Sequence, residues 1–370
     1  MFTRFRFKDY NFRLILMLIA ITVIGILAVG SAQKSYQSKQ FWGFVVGFIV
    51  MIIISILDYT KILKLWWLIY AGNLGLLLAV LLFGEVHGGA RRWLNVGIAV
   101  QPSETAKILL ILFYAQFIMK FKDKMKDIRV ILLAIALMVP PIVLIIKQPD
   151  LSTTIVIFSV ICLVLFMGEI PYKYILGVLG VTIPAAILLF IYVLQPNQKL
   201  LDPYQQKRIL AWLHPEQYEL EEAYQQLNSV MAIGSGQLTG KGLNNNVVNS
   251  VKNGNFISEP QTDFIFTIIG EELGFVGSAA VILLLLGIVI ECFIIAHRSK
   301  YISGRIIAGG MGTLVGLQGM LNIAVATGLL PNTGLPLPFV SAGLTSLVSL
   351  YIGMGFVLNV GLQCEQKYNN

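Results

Sequence analysis

Asp263 is the residue whose type and position point most directly to chemistry. It lies in the segment 257–266 (ISEPQTDFIF), where a long hydrophilic stretch of the chain gives way to a long apolar run. An ionisable side chain at the mouth of a membrane segment is costly to desolvate, so a partner or a substrate must justify it. Asp263 is therefore the first candidate for a functional residue.

Four polar clusters can supply its surroundings: residues 88–93 (GGARRW), 101–107 (QPSETAK) and 147–150 (KQPD), and Glu259 with Asp263 itself. If these clusters converge, their cations suit a pyrophosphate, because its charge must be offset where water is scarce. The candidate binding residues are Arg92, Trp93, Glu104, Lys107, Asp150 and Glu259.

Each candidate also has a structural alternative. Arg91 and Arg92 are placed to anchor the chain at the membrane surface, with their stems in the apolar layer. Glu104 and Lys107 form an i,i+3 pair that can neutralise itself on a helix. Trp93 suits the membrane interface, unless it stacks on a sugar.

The other acidic residues have alternatives as well. Lys147 and Asp150 flank Pro149 in a tight turn, where a structural salt bridge is open as an explanation. Glu271 and Glu272 are expected to be structural acids of a helix rather than a metal pair. The three histidines and three cysteines are scattered, so no metal site, disulfide framework or Ser-His-Asp triad is indicated.

The elements that must position these residues are membrane helices. Apolar residues make up 56% of the 370-residue chain and charged residues 12%, which is too little polar surface for a soluble domain. We predict an all-α polytopic membrane protein that forms a single domain over residues 1–370. Windows of about 20 apolar residues predict ten spans: roughly 14–32, 41–57, 66–83, 104–119, 129–146, 152–167, 174–195, 275–296, 304–327 and 339–360.

Basic residues predict the orientation. Sixteen lie at the ends and in alternate loops, whereas six lie in the short loops opposite. Because Lys and Arg favour cytoplasmic loops, both termini are predicted to be cytoplasmic and the large 196–263 loop extracytoplasmic, with Asp263 on that side. The net charge of +8 fits loops facing anionic lipid, and no basic-aromatic nucleic-acid module is visible.

Within the large loop, residues 204–226 are polar and aromatic, as is typical of interfacial helices. Residues 234–242 (GSGQLTGKG) are expected to be flexible and lack the ending of a nucleotide-binding P-loop. The run after Asp263 predicts a half-buried helix that leads into a span near Gly274.

Taken together, the motifs resemble the SEDS family of peptidoglycan polymerases, which includes RodA, FtsW and SpoVE. The segments that carry the resemblance are 89–94 (GARRWL), 101–104 (QPSE) with Lys107, 148–151 (QPDL), 232–242 (AIGSGQLTGKG), 259–266 (EPQTDFIF) with 270–274 (GEELG), 330–334 (LPNTG) and 336–341 (PLPFVS). Residues 234–242 look more like RodA than FtsW. The chain departs from the family pattern at Ala342 and Leu344, near the start of the last span, and at residues 324–325, which follow Asn322 and Ile323.

The resemblance implies a peptidoglycan glycosyltransferase of the bacterial plasma membrane that polymerises lipid II, with rod-shape elongation favoured over division. Asp263 would be the general base of an inverting transfer. Arg92 and Lys107 would contact the pyrophosphate, with Glu104 and Asp150 orienting them. The implied partners are lipid II, the undecaprenyl-pyrophosphate-linked glycan, membrane lipid and a class B penicillin-binding protein.

No ligand spacing requires a metal or an organic cofactor, although a divalent cation at the pyrophosphate stays open. Two other functions also stay open. A lipid II flippase would need ionisable residues at mid-span depth, and few spans have any. A non-catalytic scaffold for the penicillin-binding protein would not need residue 263 to be acidic.

Overall fold

The computed structural model describes residues 10–87, 90–95, 97, 99–195, 198, 203–218, 223–244, 250, 254 and 256–365. Within these residues the chain forms thirteen α-helices and one small antiparallel sheet. The elements are α1 (Phe12–Ala32), α2 (Lys34–Ile56), α3 (Tyr59–Leu63), α4 (Trp66–Phe83), β1 (Glu85–His87), β2 (Ala90–Asn95), β3 (Ala99–Val100), α5 (Pro102–Lys120), α6 (Ile128–Ile146), α7 (Leu151–Met167), α8 (Tyr172–Val193), α9 (Pro203–Leu213), α10 (Tyr224–Ser235), α11 (Ile265–Arg298), α12 (Ile302–Ala326) and α13 (Leu344–Glu365).

The all-α polytopic prediction is confirmed. Eight of the described helices are long and apolar enough to cross a membrane, and α7 is a shorter apolar helix. Each of the ten predicted spans lies on a separate helix. Eight lie on these long helices, one lies on α7, and the span 104–119 lies on α5, whose first turns carry Glu104 and Lys107. The last span begins at Leu344 rather than at residue 339, because Phe339 adopts a left-handed turn conformation with φ of 64°.

Short polar residues fix where several helices begin. The side chains of Asn11, Asp58, Asp127 and Asp150 each accept a hydrogen bond from a backbone N–H in the first turn of the helix that follows. Such caps satisfy amide groups that have no partner within the helix. Pro102 opens α5, where its missing N–H costs nothing.

Helix α12 lies at the centre of the bundle and is packed through glycine. A Cβ atom on Gly310 would lie 2.9 Å from Ile111 Cγ2 of α5, and one on Gly312 would lie 2.9 Å from Cys292 Cβ of α11. Small residues let membrane helices approach closely and gain van der Waals contact. By contrast, most described side chains of α8 are exposed, so that helix lies at the edge of the bundle.

The Gly-rich segment 234–242 packs against the start of α11 instead of forming the flexible segment expected from its composition. Lys241 N donates to Glu271 O at 3.0 Å, and Phe275 N donates to Gln237 O at 2.8 Å. A Cβ on Gly240 would lie 2.2 Å from the carbonyl oxygen of Glu272. Glycine is needed here because two backbones touch, which composition alone does not reveal.

Helix α11 is broken at Gly274, whose φ is 64°, so its first part is a separate short helix that leads into the span, as predicted. The prediction that this helix is half-buried is wrong, because the segment 234–242 packs on it and nearly all of its residues are buried. The acids of that short helix are structural. Lys241 Nζ lies 2.8 Å from Glu271 Oε1, and Ser31 Oγ donates to Glu272 Oε1 at 2.6 Å. Both carboxylates are buried, and the Lys241 ammonium offsets the desolvation of Glu271.

Candidate active site

Asp263 lies in the turn just before α11, and neighbouring residues hold its backbone. Asn322 Nδ2 of α12 donates to the Asp263 carbonyl oxygen at 2.8 Å, and Ser341 Oγ donates to the carbonyl oxygen of Thr262 at 2.6 Å. Among the described residues, none donates a hydrogen bond to the Asp263 carboxylate. The backbone is therefore fixed, while both carboxylate oxygens are left to meet another group.

Four charged side chains act on this carboxylate. Burial raises the pKa of Asp263 to about 6, and the negative charges of Glu259 and Asp150 act in the same direction, while Arg208 and Arg92 oppose the rise. A carboxyl group with this pKa is mostly ionised at neutral pH and is a stronger base than an ordinary aspartate. The arrangement suits a group that accepts a proton near neutral pH.

Arg92 reaches this site from strand β2. Its Nε donates to the carbonyl oxygen of Gln148 at 3.2 Å, and its Nη2 donates to that of Pro149. Because successive side chains of a strand point to opposite faces, Arg91 points away and is exposed. The two arginines are therefore not equivalent, and Arg92 is tied to the turn that carries Asp150.

Trp93 follows on β2, where it pairs with Glu85 of β1 and is half-buried. Glu259 is exposed at the edge of the site, with its carboxylate 3.5 Å from Thr262 Oγ1. Because side chains alternate along the strand, Trp93 points to the face opposite Arg92, and the roles of Trp93 and Glu259 in binding stay predictions.

Asp150 is buried and caps α7, since its Oδ1 accepts from Thr153 N at 3.1 Å. Lys147 is exposed, and no ion pair joins these two described side chains. The alternative of a structural Lys147–Asp150 salt bridge is therefore wrong. The cap fixes Asp150 beside Arg92 and leaves its charge to act on Asp263.

Glu104 and Lys107 form a second charged group inside the bundle. Lys107 Nζ lies 2.7 Å from Glu104 Oε1 and donates to Gln318 Oε1 of α12 at 2.9 Å. Ser346 Oγ of α13 donates to the other Glu104 oxygen at 2.7 Å. All of this matches the self-neutralising pair that the sequence allowed, and a direct role of either residue in binding substrate stays a prediction.

Arg208 is the site residue that the sequence reasoning missed. It lies on α9, and its Nη1 donates to the carbonyl oxygen of Asn332 at 3.3 Å, in the connection between α12 and α13. The face of α9 that turns toward Asp263 depends on contacts more than 100 residues away in sequence. No local pattern distinguishes Arg208 from the neighbouring Lys207, which is exposed.

No group of three His, Cys, Asp or Glu side chains close enough to hold a metal ion occurs in the part of the chain that the structure describes. The charged side chains of the site are the Asp263 carboxylate, the two guanidinium groups of Arg92 and Arg208, and the two further acids Glu259 and Asp150.

Comparison with known proteins identifies the family. The family model described as cell cycle protein, FtsW/RodA/SpoVE, matches residues 9–366. The chain belongs to this SEDS family. A similar curated protein is the probable peptidoglycan glycosyltransferase FtsW of Geobacter metallireducens, 34% identical over 97% of this chain and 96% of that protein. Another is the peptidoglycan glycosyltransferase MrdB of Escherichia coli K12, 32% identical over 94% of this chain and 92% of that protein.

Solved structures agree with this assignment. A chain of a peptidoglycan synthase complex, described as coordinating polymerization and crosslinking, has a TM-score of 0.78, is 26% identical and covers 96% of this chain and 99% of its own. The rod shape determining protein RodA of Thermus thermophilus has a TM-score of 0.68, is 26% identical and covers 95% of this chain and 96% of its own. The resemblance drawn from the motifs is confirmed, and with it the glycosyltransferase class and the multi-pass membrane fold.

The departures of this SEDS protein from the family pattern lie beside the site. Ala342 is buried, and its backbone N–H donates to the carbonyl oxygen of Gln261 at 2.8 Å. Leu344 is the first residue of α13 and packs on Gly43 of α2. A Cβ atom built on Gly43 would lie 3.4 Å from Leu344 Cδ1. The backbone contact to the Asp263 turn is made whichever side chain occupies position 342, so the departures change the packing around the site and leave that support in place.

Proposed function

We propose that this SEDS protein polymerises lipid II into glycan strands at the outer face of the bacterial plasma membrane. The observation that carries the proposal is the Asp263 carboxylate, which accepts no hydrogen bond from the residues that the structure describes and lies in the field of Arg92 and Arg208. The curated relatives named as peptidoglycan glycosyltransferases support the reaction class.

In the proposed reaction, the sugar 4-hydroxyl of lipid II attacks the anomeric carbon of the lipid-linked glycan. The new carbon–oxygen bond forms as the bond from that carbon to the phosphate oxygen breaks. The hydroxyl proton passes to Asp263, and the bonding electron pair leaves with the pyrophosphate. One base suffices for inversion, because the leaving group is already an anion.

Cations must stabilise the charge that develops on the leaving pyrophosphate. Arg92 is the better placed of the two cations proposed from the sequence, because it lies beside Asp263 and keeps N–H groups beyond those bonded to residues 148 and 149. Lys107 has three donors, of which Glu104 and Gln318 use two. We retain Lys107 as a second cation, oriented by Glu104, with Asp150 orienting Arg92.

We further propose that the protein acts in rod-shape elongation beside a class B penicillin-binding protein. The RodA-like sequence of residues 234–242 favours elongation over division. The similar chain in a peptidoglycan synthase complex supports an assembly with a crosslinking enzyme. The elongation role predicts loss of rod shape, rather than blocked division, when the protein is depleted.

The mechanism requires the site to face the outside of the cell, with both termini in the cytoplasm. Cysteine accessibility tests this orientation in a variant that lacks Cys162, Cys292 and Cys364. A cysteine at Asn244, which is exposed, should be labelled from outside. Labelling of that position only from the cytoplasm would end the polymerase proposal.

The decisive experiment is polymerisation of lipid II by the purified protein with its partner, using Asp263→Asn as the matched control. The proposal expects glycan chains from the parent and a large loss in the variant. Transport of lipid II across a bilayer without polymerisation would favour the flippase. Equal cell-wall synthesis with either protein would favour the scaffold.

A further inference from the structure

Helix α9 carries one charged side chain to the active site and is anchored there by two contacts. Arg208 Nη1 donates to the carbonyl oxygen of Asn332 at 3.3 Å, and Trp212 Nε1 donates to that of Gly328 at 3.0 Å. Residues four apart share one face of a helix. One face of α9 therefore lies on the connection between α12 and α13.

That connection brings Arg208 opposite Asp263. A Cβ atom built on Gly334 would lie 3.3 Å from Asp263 Oδ2 and 4.0 Å from Arg208 Nη1. The guanidinium and the carboxylate therefore face each other across a glycine, and these two described side chains form no direct ion pair. Gly334 has a φ of 70°, which disfavours any side chain at this position and keeps the space open.

We propose that Arg208 contacts the leaving pyrophosphate and is, with Arg92, one of two guanidinium groups that flank the base. This inference rests on the proposed glycosyl transfer. The reacting carbon must lie between the hydroxyl that Asp263 deprotonates and the phosphate oxygen that departs. A cation across a small gap from the base is placed where that oxygen gains charge. Its planar fork suits two phosphate oxygens at once.

Arg208 compares favourably with Lys107 in this role. Lys107 is buried and already bonded to the carboxylate of Glu104, so its charge is offset within the bundle. Arg208 is half-buried, borders the open side of Asp263, and bonds there to a neutral carbonyl oxygen. Because it is half-buried on this side, Arg208 can meet a substrate anion, whereas Lys107 lies inside the bundle.

The test measures pyrophosphate binding directly in the Asp263→Asn background, where turnover does not interfere. The purified full-length protein in nanodiscs is titrated with inorganic pyrophosphate by calorimetry. Arg208→Ala should weaken binding by about 10-fold or more, since it removes a charge-assisted contact. Arg208→Lys should recover little of the affinity, because an ammonium cannot reproduce the guanidinium fork. Unchanged affinity in Arg208→Ala, or no measurable binding in the parent, would overturn the proposal.

Trp212→Phe is the matched control, because it removes the other anchor of α9 without changing charge. If Arg208 only holds α9 in place, Trp212→Phe and Arg208→Ala should weaken binding equally, and the proposal fails. Arg208→Gln, which can still donate to Asn332, serves if the alanine variant does not fold. It should bind pyrophosphate as weakly as Arg208→Ala.

Kinetics of the otherwise unaltered protein separates this proposal from the assignment of the base. Arg208→Ala should lower kcat/KM for the lipid-linked glycan donor by roughly 10- to 1000-fold. It should also move the acid limb of the pH–rate profile upward, because a positive neighbour that lowers the pKa of Asp263 is lost. A loss confined to the acceptor lipid II would overturn the leaving-group assignment. If Asp263→Asn stays active while Arg208→Ala loses pyrophosphate affinity, only the base assignment fails.

Discussion

The Glu104–Lys107 pair and the Asp263 site differ in the hydrogen bonds that their carboxylates accept. In the first, Glu104 is bonded through both oxygens, to Lys107 and to Ser346, and is sealed among α5, α12 and α13. In the second, Asp263 has its backbone fixed by Asn322 while no described residue bonds to its carboxylate. The first group is satisfied within the fold, whereas the second presents a carboxylate that can accept a proton from a substrate.

Buried acids near a membrane segment need not be functional. Glu271 and Glu272 lie within ten residues of Asp263 and are more deeply buried, yet Lys241 pairs with Glu271 and Ser31 donates to Glu272. Depth of burial alone therefore does not single out a candidate base. Asp263 is singled out by a raised pKa, a fixed backbone and a carboxylate that accepts no hydrogen bond from the described residues.

Replacing the proposed base should have the largest effect. Asp263→Asn should reduce the rate of lipid II polymerisation by about 10²- to 10⁴-fold, because it removes the proton acceptor with little change in volume. Near wild-type polymerisation by this variant would place the base elsewhere, with Asp150 next.

The folding of the same variant is an internal control. The pKa of Asp263 rises from 3.8 to about 6 on folding, so the folded state binds the proton more tightly. Stability is then lost as pH rises from about 4 to 6, and the ionised carboxylate costs stability at pH 7. Asp263→Asn should therefore keep or raise the Tm at pH 7, and a lower Tm would show that the carboxylate supports the fold.

Replacing Lys107 and Glu104 tests whether this pair has a role beyond stabilising the fold. Lys107→Met alone leaves a buried carboxylate without its cation and should destabilise the protein by about 3–5 kcal/mol. The double variant Glu104→Gln with Lys107→Met should recover most of the Tm, measured by thermal unfolding in detergent.

Activity of the double variant then decides the role of Lys107. If Lys107 also contacts pyrophosphate, the double variant should be stable but should polymerise lipid II at least about 10-fold more slowly than the parent. Recovery of both Tm and rate would show that the pair is structural and would remove Lys107 from the site.

The third prediction concerns Arg92. Arg92→Ala should lower kcat/KM by roughly 10- to 1000-fold, or about 1.4 to 4 kcal/mol, through loss of a contact that strengthens as the leaving group departs. Arg92→Lys should recover little, because an ammonium cannot reproduce the guanidinium fork. Arg91→Ala is the matched control and should be nearly silent. Equal losses at both positions would favour a simple membrane anchor.

The fourth prediction is the pH dependence of the unaltered enzyme. Since only the ionised carboxylate accepts a proton, kcat/KM should rise with pH and level off above the pKa of about 6. Below that pH the rate should fall about tenfold per unit. An acid limb near the ordinary aspartate value would mean that Asp263 is more hydrated in the working enzyme or is not the base.

Much of the helical framework could be predicted from the sequence. The predicted span 66–83 coincides with α4, and the start of the eighth span at Gly274 coincides with the break in α11. Apolar length carries this information because backbone groups in lipid must be satisfied within the helix. The prediction failed at polar ends: α2 begins at Lys34 rather than near residue 41, because its first two turns are helical but polar.

The site could be predicted only in part. Asp263, Arg92 and Asp150 were found because their polar motifs interrupt apolar sequence. Arg208 was not, since its role depends on how α9 lies on a connection far away in the chain. The strands that turn Arg92 inward and Arg91 outward are too short to give a periodic pattern. Long-range contacts, rather than local sequence, complete the site.

Replacing Glu259 should have the smallest effect, and it tests in which direction this charge shifts the pKa of Asp263. Glu259 is exposed, and its negative charge raises the pKa of Asp263. Glu259→Gln should therefore move the acid limb to lower pH, the opposite direction to Arg208→Ala. At pH 7 the rate should change by less than about twofold, because a carboxyl with a pKa near 6 is already mostly ionised.

At pH 5 the Glu259→Gln variant should be faster than the parent. A salt concentration of 1 M should reduce this difference, because screening shortens the reach of an exposed charge to about 3 Å. Rates measured from pH 5 to 7 at low and high salt give the answer. A large loss at pH 7 would show that Glu259 contacts substrate, and an upward shift of the limb would contradict the charge arrangement around the base.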